Sequence, residues 1–335
     1  MSTAALLEVR DLAKHFALRR GLLGRPSGWI KAVDGVSFHV REGETLALVG
    51  ESGCGKTTTG RAVLRLIEPS SGSVTFDGQE LLKLNAGDLQ RMRRDIQIVF
   101  QDPYSSLNPR MTVGNIVGEA LRVHGIARGA ELNERVAHIL ERVGLSPDFR
   151  HRYAHEFSGG QRQRVGIARA LAMAPRFIVC DEAVSALDVS IQAQVINLLK
   201  DLQDEYRLAY LFITHDLNVV RHIAQRVAVM YLGRIVETAG TDELFDNPRH
   251  PYTRALLAAN PLPDPSSPRP RALRGDVPSP LTPPPGCAFH PRCAEALAHC
   301  DRQTPTWIQI ARRHGVACHL HQNTSRQGDD EIPDG

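Results

Sequence analysis

Apolar residues recur at two rhythms along this chain. LLEVRDL (6–12) and AVDGVSFHV (32–40) have alternating or β-branched character and predict strands, and TLALVG (45–50) is a short apolar run ending in glycine. SVTFDGQ (73–79) predicts a strand closed by an Asp-Gly turn, while IQIVF (96–100), RFIVCD (176–181) and YLFIT (210–214) predict buried strands. Helix-period segments lie between them, at 55–67, in two pieces over 112–143 broken near Gly125–Gly129, at 159–174 and at 191–206. RVAVMYLGRIVE (226–237) reads as a hairpin around Gly233. This alternation predicts an α/β fold on a mostly parallel sheet.

The rhythm stops near residue 260. Residues 261–291 hold eleven of the chain's 21 prolines, which cannot continue helices or central strands. The expected organisation is therefore one domain over 1–259, a Pro-rich connector over 260–286, a cysteine-containing extension over 287–322, and a polar, disordered tail over 323–335. A length of 335 residues suits two structural units, and 42% apolar residues supply a sizeable core. The net charge of +3, with no basic arm, argues against a nucleic-acid partner. Glu8, Arg10 and Asp11 interrupt the first apolar stretch, so no signal peptide is expected. No run reaches the ~18 consecutive apolar residues that a membrane span needs. Action at a membrane would then go through a partner.

Candidate chemistry begins at GESGCGKT (50–57), which fits G-x-x-x-x-G-K-[ST] between a predicted strand and a predicted helix. Gly50, Gly53 and Gly55 let the backbone curl so that successive N–H groups face phosphate oxygens, and the helix N-terminus adds its positive end. Glu51, Ser52, Cys54 and Thr58 complete the cradle. Lys56 should reach the β- and γ-phosphates, and the Thr57 hydroxyl should ligate Mg²⁺. The expected ligand is a nucleoside triphosphate. RFIVCDEA (176–183) then delivers Asp181 to the carboxyl edge of the sheet, where it would hold the Mg²⁺ shell. Glu182 beside it is placed to polarise the attacking water.

FSGGQRQR (157–164) decides between kinds of phosphate-loop protein. Ser158 and Gln161 form a capping box at a helix start, and Gly159 and Gly160 leave bare N–H groups there for an anion. With these motifs in order, residues 6–259 resemble an ATP-binding-cassette (ABC) ATPase. The resemblance implies a RecA-like core with an antiparallel β-subdomain and a helical subdomain at about 104–174. It implies that Ser158, Gly159, Gly160 and Gln161 contact the γ-phosphate held by an opposing subunit. It makes Gln101 the Mg²⁺-sensing glutamine, His215 the γ-phosphate switch histidine and SALD (185–188), with Asp188, the loop that crosses the dimer interface. Phe16 is the aromatic expected on adenine, with a core role as the alternative. One residue departs from the family pattern: Ala183 follows the catalytic Glu where proline is usual, which implies looser positioning of the base.

VFQDPYSSLNPRMTVG (99–114), NPRHPYTRALL (247–257) and GDVPSPLTPPPGCAFHPRC (275–293) resemble the peptide-importer branch, and most nearly the second ATP-binding subunit of dipeptide permeases. That likeness implies a heterodimer with a paralogous ATPase, two permease subunits and an extracytoplasmic peptide-binding protein, at the cytoplasmic face of the inner membrane. Tyr104 to Arg110 would lie near a permease coupling helix. An importer of nickel chelates and a soluble ABC ATPase remain alternatives. A P-loop kinase has no use for FSGGQ.

Cys287, Cys293, Cys300 and Cys318 crowd the last fifty residues without tight C-x₂₋₄-C knuckles. In a reducing compartment they read as ligands for Zn²⁺ or a [4Fe–4S] cluster, and the branch resemblance favours the latter. Cys54, in the phosphate loop, reads as a place where a thiol modifier would block nucleotide; Cys180 reads as buried in its strand.

Overall fold

The structure is a computed structural model, and it describes residues 4–20, 25–102, 106–259 and 275–322. The tail, most of the connector (260–274), and Tyr104 and Ser105 of the segment expected near a permease coupling helix lie outside the described residues.

The main sheet grows from three apolar runs. β3 (Thr45–Val49), β7 (Phe177–Asp181) and β8 (Ala209–Thr214) are buried at every residue, as parallel strands covered on both faces must be. Alternate residues serve opposite layers: Ala47 and Val49 join one hydrophobic cluster, and Leu46 and Leu48 the other. β6 (Ile96–Val99) adds one edge, and β9 (Arg226–Tyr231) lies parallel to β3 on the other side. β10 (Arg234–Gly240) then turns back antiparallel on β9. A second, antiparallel sheet holds β1 (Ala5–Arg20), β2 (Arg25–Arg41), β4 (Ser71–Phe76) and β5 (Gln79–Glu80) in the order β2-β1-β4-β5. Its β4–β5 turn is the Asp77-Gly78 pair, both at positive φ (47 and 77), the backbone that a two-residue hairpin requires.

The helices are α1 (Lys56–Val63), α2 (Ala86–Met92), α3 (Val113–Val123), α4 (Gly129–Arg142), α5 (Gly159–Leu171), α6 (Val189–Tyr206), α7 (Leu217–Ile223), α8 (Thr241–Asp246) and α9 (Pro251–Ala259). Val113, Ile116, Val117 and Leu121 of α3 meet Leu132, Val136 and Leu140 of α4 at helical spacing in one cluster. No described helix is long and apolar enough to cross a membrane.

The patterning anticipates β3, β4, β6 to β10, α1 and the four longer helices, but only part of β1 (6–12 of Ala5–Arg20) and of β2 (32–40 of Arg25–Arg41). It gives no sign of α7, α8 or α9, each of nine residues or fewer, nor of the way the extension attaches. β11 (Ile308–Ala311) and β12 (His314–Val316) join the main sheet, with β12 paired to β10, so the order runs β11-β12-β10-β9-β3-β8-β7-β6. The extension is thus an added edge of the core sheet.

One buried carboxylate fastens it. Glu237 of β10 accepts a hydrogen bond at 2.7 Å from His314 Nε2, and the backbone N–H groups of Arg249 and His250 donate to it at 2.7 and 2.9 Å. Burial alone would raise the Glu237 pKa, but His314 and the backbone donors outweigh it and hold the carboxyl below its usual 4.5. His250 is itself buried, which depresses its pKa from 6.5 to about 4.

Both shifts act in one direction with pH. Each folded-state pKa lies below its unfolded value, so the unfolded chain takes up the proton first. The His250 contribution is full above pH 6.5 and fades as pH falls toward 4; that of Glu237 fades below 4.5. Urea unfolding of the full chain should show stability falling across that acid window. Glu237→Ala, which strands the buried groups around His314, should lose about 3 kcal/mol at neutral pH. An unchanged midpoint would refute the fastening role.

Candidate active site

Four neighbouring strands deliver the site. In sheet order β3-β8-β7-β6, their carboxyl ends carry the Gly50–Gly55 loop, His215, the pair Asp181–Glu182, and Gln101. This is the edge at which open α/β sheets bind ligands. Gly50 and Gly55 have positive φ (153 and 110), and a Cβ at either would strike a backbone carbonyl, of Met230 and of Ala32. No other residue fits there. α1 starts at Lys56, so its first N–H groups open onto the loop.

The side chains meet as their chemistry requires. Lys56 is buried, and its ammonium donates to the carbonyl oxygens of Gly50 at 2.9 Å and Glu51 at 3.0 Å. Thr57 Oγ1 donates to Asp181 Oδ1 at 2.7 Å, and Arg61 Nε stands 4.0 Å from the other carboxylate oxygen. Burial raises the Asp181 pKa, while the Thr57 hydrogen bond and Arg61 pull it back. A hydroxyl beside a buried carboxylate is a hard oxygen donor set, which fits Mg²⁺. Gln101 Nε2 donates to Glu182 Oε2 at 2.6 Å, and His215 Nδ1 lies 3.6 Å from Glu182 Oε1. Glu182 is thus hydrogen-bonded by Gln101 and flanked by His215.

The backbone at Glu182, the residue before Ala183, is unusual. Glu182 adopts φ 48, in the left-handed region, and its N–H donates to the Ile213 carbonyl at 3.0 Å. Its own carbonyl accepts from Ser185 N at 3.1 Å and Ser185 Oγ at 3.0 Å. A proline ring at 183 would crowd an α-type backbone at the residue before it.

The Ser158 capping box forms as expected: Ser158 Oγ accepts from Gln161 N at 3.4 Å, and Ser158 N donates to Gln161 Oε1 at 3.1 Å. Gly159 and Gly160 pack toward Leu187 and Ile191. Among the described residues no hydrogen bond joins Ser158–Gln161 to the phosphate loop. Asp188 is exposed at the start of α6. Phe16 is 40% exposed, with the Lys14 ammonium 5.0 Å from its ring, so it stands outside the core. Ser52 and Gly53 are exposed at the loop tip and Thr58 is half-buried in α1.

Cys54 corrects an expectation. It is 3% exposed, and burial raises its thiol pKa despite Lys56 nearby, so it is a poor target for a modifier. Cys180 is buried in β7 as expected. Cys287, Cys293, Cys300 and Cys318 line one small cavity together with His250, His290 and His319. Burial raises the thiol pKa of Cys287, Cys293 and Cys318, the last to about 11, and the neighbouring cysteines add to each rise. Sulfur donors suit a soft metal. Yet among the described residues no three His, Cys, Asp or Glu side chains stand together as a metal-binding group, so the thiols converge without assembling a centre.

Two residues that touch the phosphate loop escape the sequence reading. Tyr252 of α9 accepts the Glu51 N–H at 2.9 Å. Arg292 of the extension forks onto the Glu51 carboxylate at 2.7 and 3.0 Å, and that bond raises the guanidinium pKa further. Both lie in the segments NPRHPYTRALL and GCAFHPRC, whose motifs carry no chemical signature of their own.

Comparison with known proteins agrees with this geometry. The family described as "ABC transporter" matches residues 33–185, and "Oligopeptide/dipeptide transporter, C-terminal region" matches 236–300. The chain is 54% identical to the "Oligopeptide transport ATP-binding protein AppF" of Bacillus subtilis, covering 94% of this chain and 97% of that one. It is 54% identical to a "Putative peptide import ATP-binding protein" of Brucella ovis, covering 95% and 98%. Among solved structures it is similar to the dimeric ATP-binding cassette MJ0796 in a post-hydrolysis state bound to ADP and Pi, at 30% identity and TM-score 0.62, covering 70% of this chain and 98% of that one. The fold and the site define an ABC-type ATPase. The chain belongs to the ATP-binding proteins of ABC transporters.

Glu182→Gln keeps the shape of the side chain and removes its basicity. It should bind ATP as the unsubstituted chain does and hydrolyse it at least about a hundredfold more slowly. Equal turnover in a steady-state phosphate-release assay would remove Glu182 from the base role.

Proposed function

We propose that this chain is the ATP-hydrolysing subunit of an importer for dipeptides and oligopeptides, acting at the cytoplasmic face of the inner membrane. The observation that carries the reading is the meeting of Gln101 and His215 on Glu182, one residue along the chain from the Thr57–Asp181 contact. The names of the relatives and the C-terminal region match support the peptide cargo. Residues 1–259 form the ATPase, with the helical part at about 104–174, and 287–322 form the extension.

In the reaction, Glu182 takes a proton from the attacking water. Gln101 and His215 orient that carboxylate, and His215 turns toward the γ-phosphate. Gly50–Thr58 cradle the phosphates through backbone N–H groups, and the Lys56 ammonium leaves the Gly50 and Glu51 carbonyls for them. Thr57, Asp181 and Gln101 would hold Mg²⁺, which offsets the negative charge of the triphosphate when bound. Phe16 stacks on adenine. Ser158, Gly159, Gly160 and Gln161 serve the nucleotide of an opposing subunit, a paralogous ATPase, with Asp188 at the interface. Two permease subunits and an extracytoplasmic peptide-binding protein complete the transporter. Cys287, Cys293, Cys300 and Cys318, which line one cavity, would hold a [4Fe–4S] cluster, or Zn²⁺ in its place, once their side chains close on it, stapling the extension. No step of hydrolysis passes through that group.

Uptake of labelled di-, tri- and longer peptides in a deletion strain tests the cargo. Complementation by the unsubstituted gene should restore uptake, and Glu182→Gln should not. If neither restores any peptide while nickel-chelate uptake returns, the cargo assignment falls.

A further inference from the structure

The contact between Arg292 and Glu51 links two parts of the chain 241 positions apart. Glu51 is the second residue of the phosphate loop. Arg292 closes a short turn of the extension, His290–Arg292, three residues after Phe289. That turn is braced: Phe289 is buried against Tyr231 at 5.4 Å and Tyr252 at 5.3 Å between ring centroids, and the two tyrosines lie 4.6 Å apart. Tyr252 in turn takes the Glu51 N–H, and the Arg292 guanidinium sits 5.9 Å over the Tyr231 ring, its side chain 4% exposed. A buried, braced fork of this kind is preorganised and loses little freedom per hydrogen bond.

The charge arithmetic gives the fork a purpose. A free Glu51 carboxylate would sit inside a loop built to receive a polyphosphate. It would repel that ligand, and it would compete for the Lys56 ammonium, which already lies on the Glu51 carbonyl at 3.0 Å. We infer that Arg292 is a positioning residue of the nucleotide site: from the C-terminal extension it neutralises Glu51 and fixes the loop for triphosphate. The extension then tunes nucleotide affinity without touching the nucleotide. The inference rests on the phosphate-loop reading proposed above.

The test uses the full-length chain and equilibrium binding of a fluorescent ATP analogue, with KM and kcat for ATP measured alongside. Arg292→Ala should weaken binding and raise KM roughly tenfold or more, with kcat at saturating ATP within about twofold. Arg292→Lys, which keeps the charge and loses the fork, should fall between. Glu51→Gln added to Arg292→Ala should recover most of the lost affinity, an outcome that a merely destabilised extension would not give. Unchanged affinity in Arg292→Ala, or a double variant no better than the single, overturns the inference. Lys56→Ala separates the two claims: if it also binds the analogue normally, the phosphate-loop reading itself fails.

Discussion

The hydrogen bond from Thr57 to Asp181 is the contact on which the rest of the site depends. It joins the first turn of a helix to the last residue of a strand 124 positions later. The two can meet only because β3 and β7 both run parallel to β8, one on each side, in matched register. Pairing Leu46 with Leu211, and Val179 with Leu211, brings the phosphate loop and the acidic pair out at one edge. Buried apolar runs set that register, because a slip of one residue would turn each strand's side chains toward the wrong layer. The hydrophobic core therefore places the Thr57 and Asp181 oxygens, and His215 and Gln101 follow on the neighbouring strand ends.

A second dependence runs from the far end of the chain. Glu237 binds β10, the backbone before α9 and the β12 hairpin into one buried cluster. Holding α9 and the extension there brings Tyr252 and Arg292 up behind the phosphate loop. The extension is thereby packed onto the phosphate loop, even though its prolines separate it in sequence.

Much of this is legible in the sequence because short-range physics writes it there. Glycines at 50, 53 and 55, the Lys56-Thr57 pair and the Ser158–Gln161 box are local patterns, and the structure forms each locally. Strand periodicity places β3, β6, β7 and β8 within about a residue. The C-terminal pairing is not legible: three buried residues, His314–Val316, carry no period to count. Arg292 is likewise silent, since an arginine in a Pro-rich stretch looks like ordinary solvated charge. Its role appears only when folding closes the 241 positions between it and Glu51. Cys54 misleads for the opposite reason, because a loop thiol looks accessible until Lys56 and the β-layer cover it. The crowding of four cysteines near the C-terminal end points to a metal although their spacing does not, and the fold draws the four thiols to one cavity.

The most direct measurement is steady-state ATP hydrolysis by the full-length chain as Mg²⁺ is titrated, with Asp181→Asn run in parallel. In the unsubstituted chain the rate should rise with Mg²⁺ to saturation, and Asp181→Asn should lose that response or shift it to far higher Mg²⁺. A rate indifferent to Mg²⁺, or an Asp181→Asn titration that overlays the unsubstituted one, would contradict the claim that Thr57 and Asp181 make this sheet edge a site of ATP hydrolysis.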